Sequence, residues 1–321
     1  MTMTTTTTPT TTMRAARLHV RGGPEQVVVE QAPLPVPPAG EVRIRVRACA
    51  LTPGELAWDE TYRHPDGSPR FPAIPGHDVA GEIDVLGAGV AGWQRGEAVY
   101  GLINFPRDGS AAEYVCAPAA EIARMPRSID ALHAAAVPLS GLTAWQGLFD
   151  QGKLQKGQRV LIHGGSGGVG AYAVQLAHHF GARVITTASA ANIEAVRALG
   201  AAEVIDYAHS RFDELVRDVD LVFDTIGGET LTRSLAVVRP GGRVVSIAGK
   251  PDPERAAARQ ITAIFFIVHP EQSQLQQLAA LVDAGNLQVQ IEATYPLSEA
   301  RAAFERSVGG HLRGKVVLQI Q

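Results

Sequence analysis

The chain has 321 residues, enough for about two domains with substantial cores. Hydrophobic residues make up 45% and charged residues 19%, which excludes a largely disordered chain. The formal net charge of −3, without a basic tract, argues against nucleic-acid partners, and two cysteines without a C-x-x-C pair fit a cytoplasmic protein better than a disulfide scaffold.

Residues 1–13 read as a disordered Thr-rich tail, lacking the basic and apolar regions of a secretory signal. From residue 14 to 127 the chain breaks into short strands separated by Gly and Pro; residues 41–47 alternate polar and apolar as a half-buried strand does. Helical patterns follow at 131–136 and 141–150. Strands expected at 160–163, 183–187, 203–206, 221–223 and 243–247 then alternate with helices at 168–180, 192–200, 212–216 and 230–238. That alternation predicts an α/β fold with a doubly wound parallel sheet over 128–267. A helix at 272–284 and a strand at 315–320 belong to a tail, 268–321, that returns to the first domain. The apolar run 261–268 is far too short to span a bilayer, so no membrane partner is expected.

Between the expected strand at 160–163 and the following helix lies Gly165-Ser166-Gly167-Gly168-Val169-Gly170, which fits G-x-G-x-x-G. A strand, a glycine turn and a helix start aim backbone N–H groups and the positive helix end at a pyrophosphate. About 20 residues past the first glycine, NAD sites carry an acid that binds the adenosine ribose. Here Ala188 and Ser189 stand in that place, and no carboxylate comes before Glu194. The missing acid removes repulsion against a 2′-phosphate, and Ser189 and Asn192 can donate to one. NADPH is therefore the expected cofactor, with a loop of little discrimination as the alternative.

Several fragments together resemble the medium-chain dehydrogenase/reductase superfamily, in its zinc-independent quinone oxidoreductase-like branch. They are residues 74–81 (IPGHDVAG), 112–114, 139–144, the glycine turn, 199–201, 204–207, 223–228 and 313–318 (RGKVVL). The resemblance implies a GroES-like, mainly β catalytic domain, a Rossmann cofactor domain, an active site in the cleft between them, and a homodimer. It places Thr143 near the nicotinamide ribose, Ser166 to Val169 on the pyrophosphate and Tyr207 near the 2′-phosphate. Thr225, Ile226 and Gly227, with Ile247, Ala248, Gly249 and Lys250, follow later strand ends where the crevice opens. Phe265 and Phe266 flank the nicotinamide on this pattern, or else pack in the core or at a dimer interface. Lys250 meets phosphate or is simply solvated. Many NADPH-binding relatives carry a lysine in the loop after Ser189 that this chain lacks.

The zinc alcohol dehydrogenases of the superfamily bind a catalytic ion through a Cys and the His of Gly-His-Glu. Here Thr52 takes the Cys position and the motif reads Gly76-His77-Asp78, so no metal is expected and His77 reads as a hydrogen-bonded structural residue. Relatives often read Asn-Pro-x-Asp where this chain reads Thr52-Pro53-Gly54-Glu55. Thr52 and Tyr62 are the expected catalytic residues, Tyr62 as a phenolic donor, or else as one wall of an aromatic pocket with Trp58. The expected activity is metal-independent transfer of hydride from NADPH to a quinone or α,β-unsaturated carbonyl. The alternatives are a zinc-type alcohol dehydrogenase and a cofactor-binding protein without turnover.

Overall fold

The computed structural model describes residues 11–310 and 312–320. Most of the expected Thr-rich tail, residues 1–10, lies outside the described residues. Its last residues do not: β1 (Thr12–Leu18) already includes Met13, which is buried. The first strand pairs antiparallel with β2 (Val27–Pro33).

The first domain is organised by β3 (Glu41–Leu51). Val42, Ile44 and Val46 alternate inward as the sequence predicts, and from Ala48 onward the strand is buried throughout. Around it lie β4 (Asp78–Leu86), β5 (Ala98–Leu102), β6 (Tyr114–Pro118) and β7 (Ile122–Arg124). Two short helices lead out of the domain, α1 (Ala131–Ala135) and α2 (Pro138–Trp145). The helix expected at 141–150 is thus shifted: Pro138, suited to a first helical turn, starts it early, and residues 146–151 form a π-helical turn.

Six strands then make the second sheet: β8 (Arg159–Ile162), β9 (Arg183–Ala188), β10 (Glu203–Asp206), β11 (Val219–Asp224), β12 (Val238–Ser246) and β13 (Thr262–Phe265). All pair parallel, in the order β10-β9-β8-β11-β12-β13. The chain winds outward in both directions from the β8/β11 boundary, so a crevice opens at the carboxyl ends of those two strands. The crossovers carry α3 (Gly168–His179), α4 (Ile193–Ala198), α5 (Phe212–Leu215), α6 (Gly228–Ser234) and α7 (Pro253–Ala258). Beyond the second sheet come α8 (Gln272–Asp283), β14 (Ile291–Pro296), α9 (Ala300–Val308) and β15 (Lys315–Gln319).

β15 runs antiparallel to β3, with Leu318 opposite Cys49 and Val316 opposite Leu51, which brings the chain back to the first sheet. That register carries Lys315 just past Leu51, beside Thr52. One continuous apolar cluster runs from Tyr100 and Leu102 of the first sheet, through Leu139 and Leu142 of α2, to Val160, Ile162 and Phe223 of the second. The two domains are therefore joined by core packing beneath the cleft. Asp283 adds main-chain anchoring, accepting from the N–H groups of Arg127 and Ser128 at 2.8 Å each.

Candidate active site

The glycine turn is built by exclusion. Gly164 has φ +75°, and a Cβ on Gly170 would stand 2.0 Å from its carbonyl oxygen, so α3 can begin only where no side chain intervenes. A Cβ on Gly165 would meet Thr186 Oγ1 at 2.2 Å. Gly167 caps α3 without a side-chain acceptor, leaving the first N–H groups of the helix available to an anion. This cradle, which a single methyl would fill, fits a dinucleotide pyrophosphate.

A one-way chain of hydrogen bonds fixes the turn. Gly164 N–H donates to Thr187 Oγ1 (3.1 Å), which in turn faces His163 Nδ1 (3.3 Å); His163 Nε2 faces Ser234 Oγ (2.9 Å), and Ser234 donates to the Thr230 carbonyl (2.7 Å). Because Ser234 gives its proton to a carbonyl, His163 must carry its hydrogen on Nε2 and accept from Thr187 at Nδ1. Burial, with the Arg233 charge adding to it, pushes the His163 pKa down to about 3, so the imidazole is neutral. Asp224 does similar service across the β8/β11 boundary. Its carboxylate accepts from Ile226 N, Gly227 N and Ser246 Oγ, while Thr225 Oγ1 donates to the His163 carbonyl at 2.8 Å. Neither His163 nor Asp224 was given a role from sequence, although both lie within motifs that were singled out.

At the end of β9, Asn192 Nδ2 donates to both Ser166 Oγ and Ser189 Oγ at 3.2 Å. Three predicted cofactor residues thus meet at one corner, and the serine hydroxyl protons remain available. Tyr207 is exposed, its N–H bonded to the Ala188 carbonyl. Asp206 lies opposite Ala188 in the strand register, a carboxylate the sequence reading did not weigh. It is engaged by Ala208 N and His209 Nδ1, the latter at 2.7 Å, and that hydrogen bond holds it below the usual carboxylate range.

The other predicted positions divide. Thr143 is buried, and its hydroxyl donates to the Leu139 carbonyl. Thr225, Ile226 and Gly227 face the loop of Ile247, Ala248 and Gly249, with Ile247 N bonded to the Asp224 carbonyl; a Cβ on Gly227 would lie 2.9 Å from Ala248 O. Lys250 is exposed. Phe266 packs against the main core, whereas Phe265 lies exposed on the edge strand. Tyr62 is not offered to the cleft: it is buried in the catalytic domain's own core, with its hydroxyl 2.8 Å from the Leu56 carbonyl and 3.2 Å from that of Gly22. Its phenol proton goes to main chain, and its role as a donor finds no support.

On the first domain's side, Thr52, Glu55, His77, Asp78 and Lys315 converge. Glu55 is fully buried and accepts from Thr52 N (3.2 Å) and Gly76 N (3.1 Å), tying two loops together. Burial raises its pKa to about 7. His77 Nδ1 donates to the Ile103 carbonyl (3.2 Å), which leaves Nε2 as a lone pair without a hydrogen-bond partner, 3.9 Å from Glu55 Oε2. Burial pushes the His77 pKa down to about 3. Trp58 stacks on its ring and Phe105 meets it edge-on.

Asp78 Oδ1 accepts from Leu139 N at 2.6 Å, at the start of α2. Its Oδ2 lies 3.1 Å from Lys315 Nζ but out of hydrogen-bond alignment, held by charge alone. The same ammonium donates to Thr52 Oγ1 at 3.1 Å. Lys315 Cδ and Ser140 Oγ lie 3.3 and 3.4 Å from where a Gly168 side chain would begin, so α2, α3 and β15 start at one point in the cleft.

This donor set does not fit a tetrahedral Zn²⁺. The thiol of Cys49 is kept protonated by burial, Glu55 is engaged by two N–H groups, and the Thr52 hydroxyl already faces a cation. Among the described residues no cluster of three or more His, Cys, Asp or Glu could hold a metal ion.

An alcohol dehydrogenase GroES-like domain model matches residues 38–127, and a zinc-binding dehydrogenase model matches residues 199–318. A probable mitochondrial zinc-binding oxidoreductase of Arthroderma benhamiae is 34% identical, over 92% of this chain and 93% of its own length. A chloroplastic NADPH-dependent alkenal/one oxidoreductase of Arabidopsis thaliana is 33% identical, over 87% of this chain and 72% of its own. The solved quinone oxidoreductase from Coxiella burnetii superposes with a TM-score of 0.89 at 32% identity, covering 97% of this chain and 100% of that one. Cleft, cradle, strand order and relatives agree: the chain belongs to the medium-chain dehydrogenase/reductase superfamily, in its quinone oxidoreductase-like branch, and is a nicotinamide-dependent oxidoreductase.

Proposed function

We propose that this protein is a metal-independent, NADPH-dependent reductase that passes a hydride to a quinone or an α,β-unsaturated carbonyl. The observation that carries this reading is the cradle from Gly164 to Gly170 opening beside Thr52 and Lys315, a cofactor site and a polar catalytic cluster in one cleft. When bound, NADPH supplies the hydride. Gly165 to Gly170 and the start of α3 would hold its pyrophosphate. Ser166, Ser189 and Asn192 would take the 2′-phosphate, their corner having no carboxylate in its own loop. Thr225 to Gly227 and Ile247 to Gly249 would line the crevice toward the nicotinamide, and Thr143 of α2, expected near its ribose, is buried.

Thr52 is the substrate-facing hydroxyl in this reading. The Lys315 ammonium on the same cluster disfavours a dication there, which supports the metal-independent form. A homodimer and a cytoplasmic location are parts of the same proposal. No described helix is long and apolar enough to cross a membrane.

The test is steady-state oxidation of NADPH and NADH against a panel of quinones and enones, with metal content measured on the same preparation. Turnover with NADPH at substoichiometric zinc is expected. Introducing a carboxylate with Ser189→Asp should cut the NADPH preference about ten-fold, one decade being about 1.4 kcal/mol. Tight NADPH binding without oxidation, or stoichiometric zinc, would contradict the reading.

A further inference from the structure

Lys315 is 4% exposed and Asp78 fully buried, so this is a charge pair withdrawn from water inside the cleft. Such a pair is expensive to bury and contributes little net stability, which makes a task at the site the better explanation for it. The ammonium makes a second contact, donating to Thr52 Oγ1. A threonine hydroxyl has one proton and two lone pairs. With a lone pair taken by Lys315, and no protein acceptor for the hydroxyl among the described residues, the Thr52 proton is left for a group in the cleft. An N⁺–H donor also polarises the hydroxyl it binds, strengthening the next bond in line.

We propose that Lys315, held by Asp78, is a positioning residue that orients and polarises the Thr52 hydroxyl to donate to the oxygen of the bound acceptor. This rests on the reductase reading above. In quinone or enone reduction the two electrons of the hydride end on the acceptor oxygen as the π bonds shift. Thr52 O–H stabilises that oxyanion, and water supplies the proton that finally neutralises it. The arrangement is an Asp78–Lys315–Thr52 file in which only Thr52 touches substrate. Asp78 also receives Leu139 N, so the file is anchored to α2, the element that joins the two domains.

Thr52→Val should lower kcat about 100-fold, the scale of one lost oxyanion donor. Thr52→Ser, which keeps the hydroxyl, should retain most activity. Lys315→Met should give a similar loss with little change in NADPH affinity, and the Thr52→Val/Lys315→Met pair should be no worse than either alone, since the two act as a unit. Because Lys315→Met strands a buried carboxylate, Asp78→Asn/Lys315→Met is the paired variant that removes both charges. Multiplicative losses, or a Lys315→Met protein that loses NADPH affinity while keeping kcat, would overturn the proposal. A second readout is independent of turnover: p-nitrophenol bound beside NADP⁺ should titrate below the free phenol, and Thr52→Val and Lys315→Met should each abolish the same shift. A phenol that binds without a shift, does not bind, or keeps its shift in either variant would also overturn it. Absence of turnover across the acceptor panel, by contrast, would contradict the reductase reading itself.

Discussion

Glu55 and His77 show how burial sets chemistry one side chain at a time. The Ile103 carbonyl fixes the His77 hydrogen on Nδ1, so its free Nε2 lone pair faces Glu55, whose carboxyl burial holds well above the usual range. The pH dependence follows in sign. Glu55 has a folded pKa near 7, above its ordinary 4.5, so its contribution to stability is full below 4.5 and is lost as pH rises through 7. His77 and His163 are depressed from 6.5 to about 3, so theirs is full above 6.5 and is lost as pH falls toward 3. Thermal melts of Glu55→Gln against the parent protein should therefore show the variant gaining relative stability from pH 5 to pH 8. An equal difference at both pH values would contradict this account. His163→Leu breaks the hydrogen-bond chain behind Gly164 and leaves buried hydroxyls unpaired; denaturant unfolding should show a loss of about 1–3 kcal/mol, together with weaker NADPH binding. The sequence motifs located both residues, but their partners lie 24 to 71 positions away for His163, where no local pattern reaches.

Elements were legible where periodicity and punctuation were strong. Strand β8, the glycine turn and α3 were readable because an apolar run, five glycines and an Ala-rich stretch follow one another. Helix α6 ends at Ser234 rather than running to 238 because β12 begins at Val238 and claims that segment for the sheet. β14 and α9 went unread: the first is largely half-buried without clean alternation, and the second is short and Ala/Arg-rich. Edge strand β13 has one partner, β12, among the described strands; Phe265 stands exposed at its end and Ile267 two residues beyond. Pairing with a second copy would cover that edge. Ile267→Glu should shift the protein from dimer to monomer in light scattering coupled to size exclusion; a parent protein already monomeric would contradict the dimer.

For the whole molecule, the fold was legible from sequence, and of the cluster around Lys315 only Thr52 was. Alternating strands and helices dictated the doubly wound sheet, after which the chain returns to the first sheet through β15. The consequence of that return was hidden. Only the β15–β3 register brings Lys315, 263 residues from Thr52, into contact with its hydroxyl. Tyr62, favoured from sequence as an aromatic hydroxyl near the cleft loop, turns its proton to main chain instead. The proposed reaction is direct hydride delivery from NADPH to a conjugated carbonyl without a metal. Its most direct test uses NADPH deuterated at C4, incubated with chelator-treated protein and an enone, with the product read by NMR. One deuterium is expected at the enone β-carbon. A product free of deuterium with both C4 epimers of the labelled cofactor, or turnover that returns only when zinc is added, would contradict it.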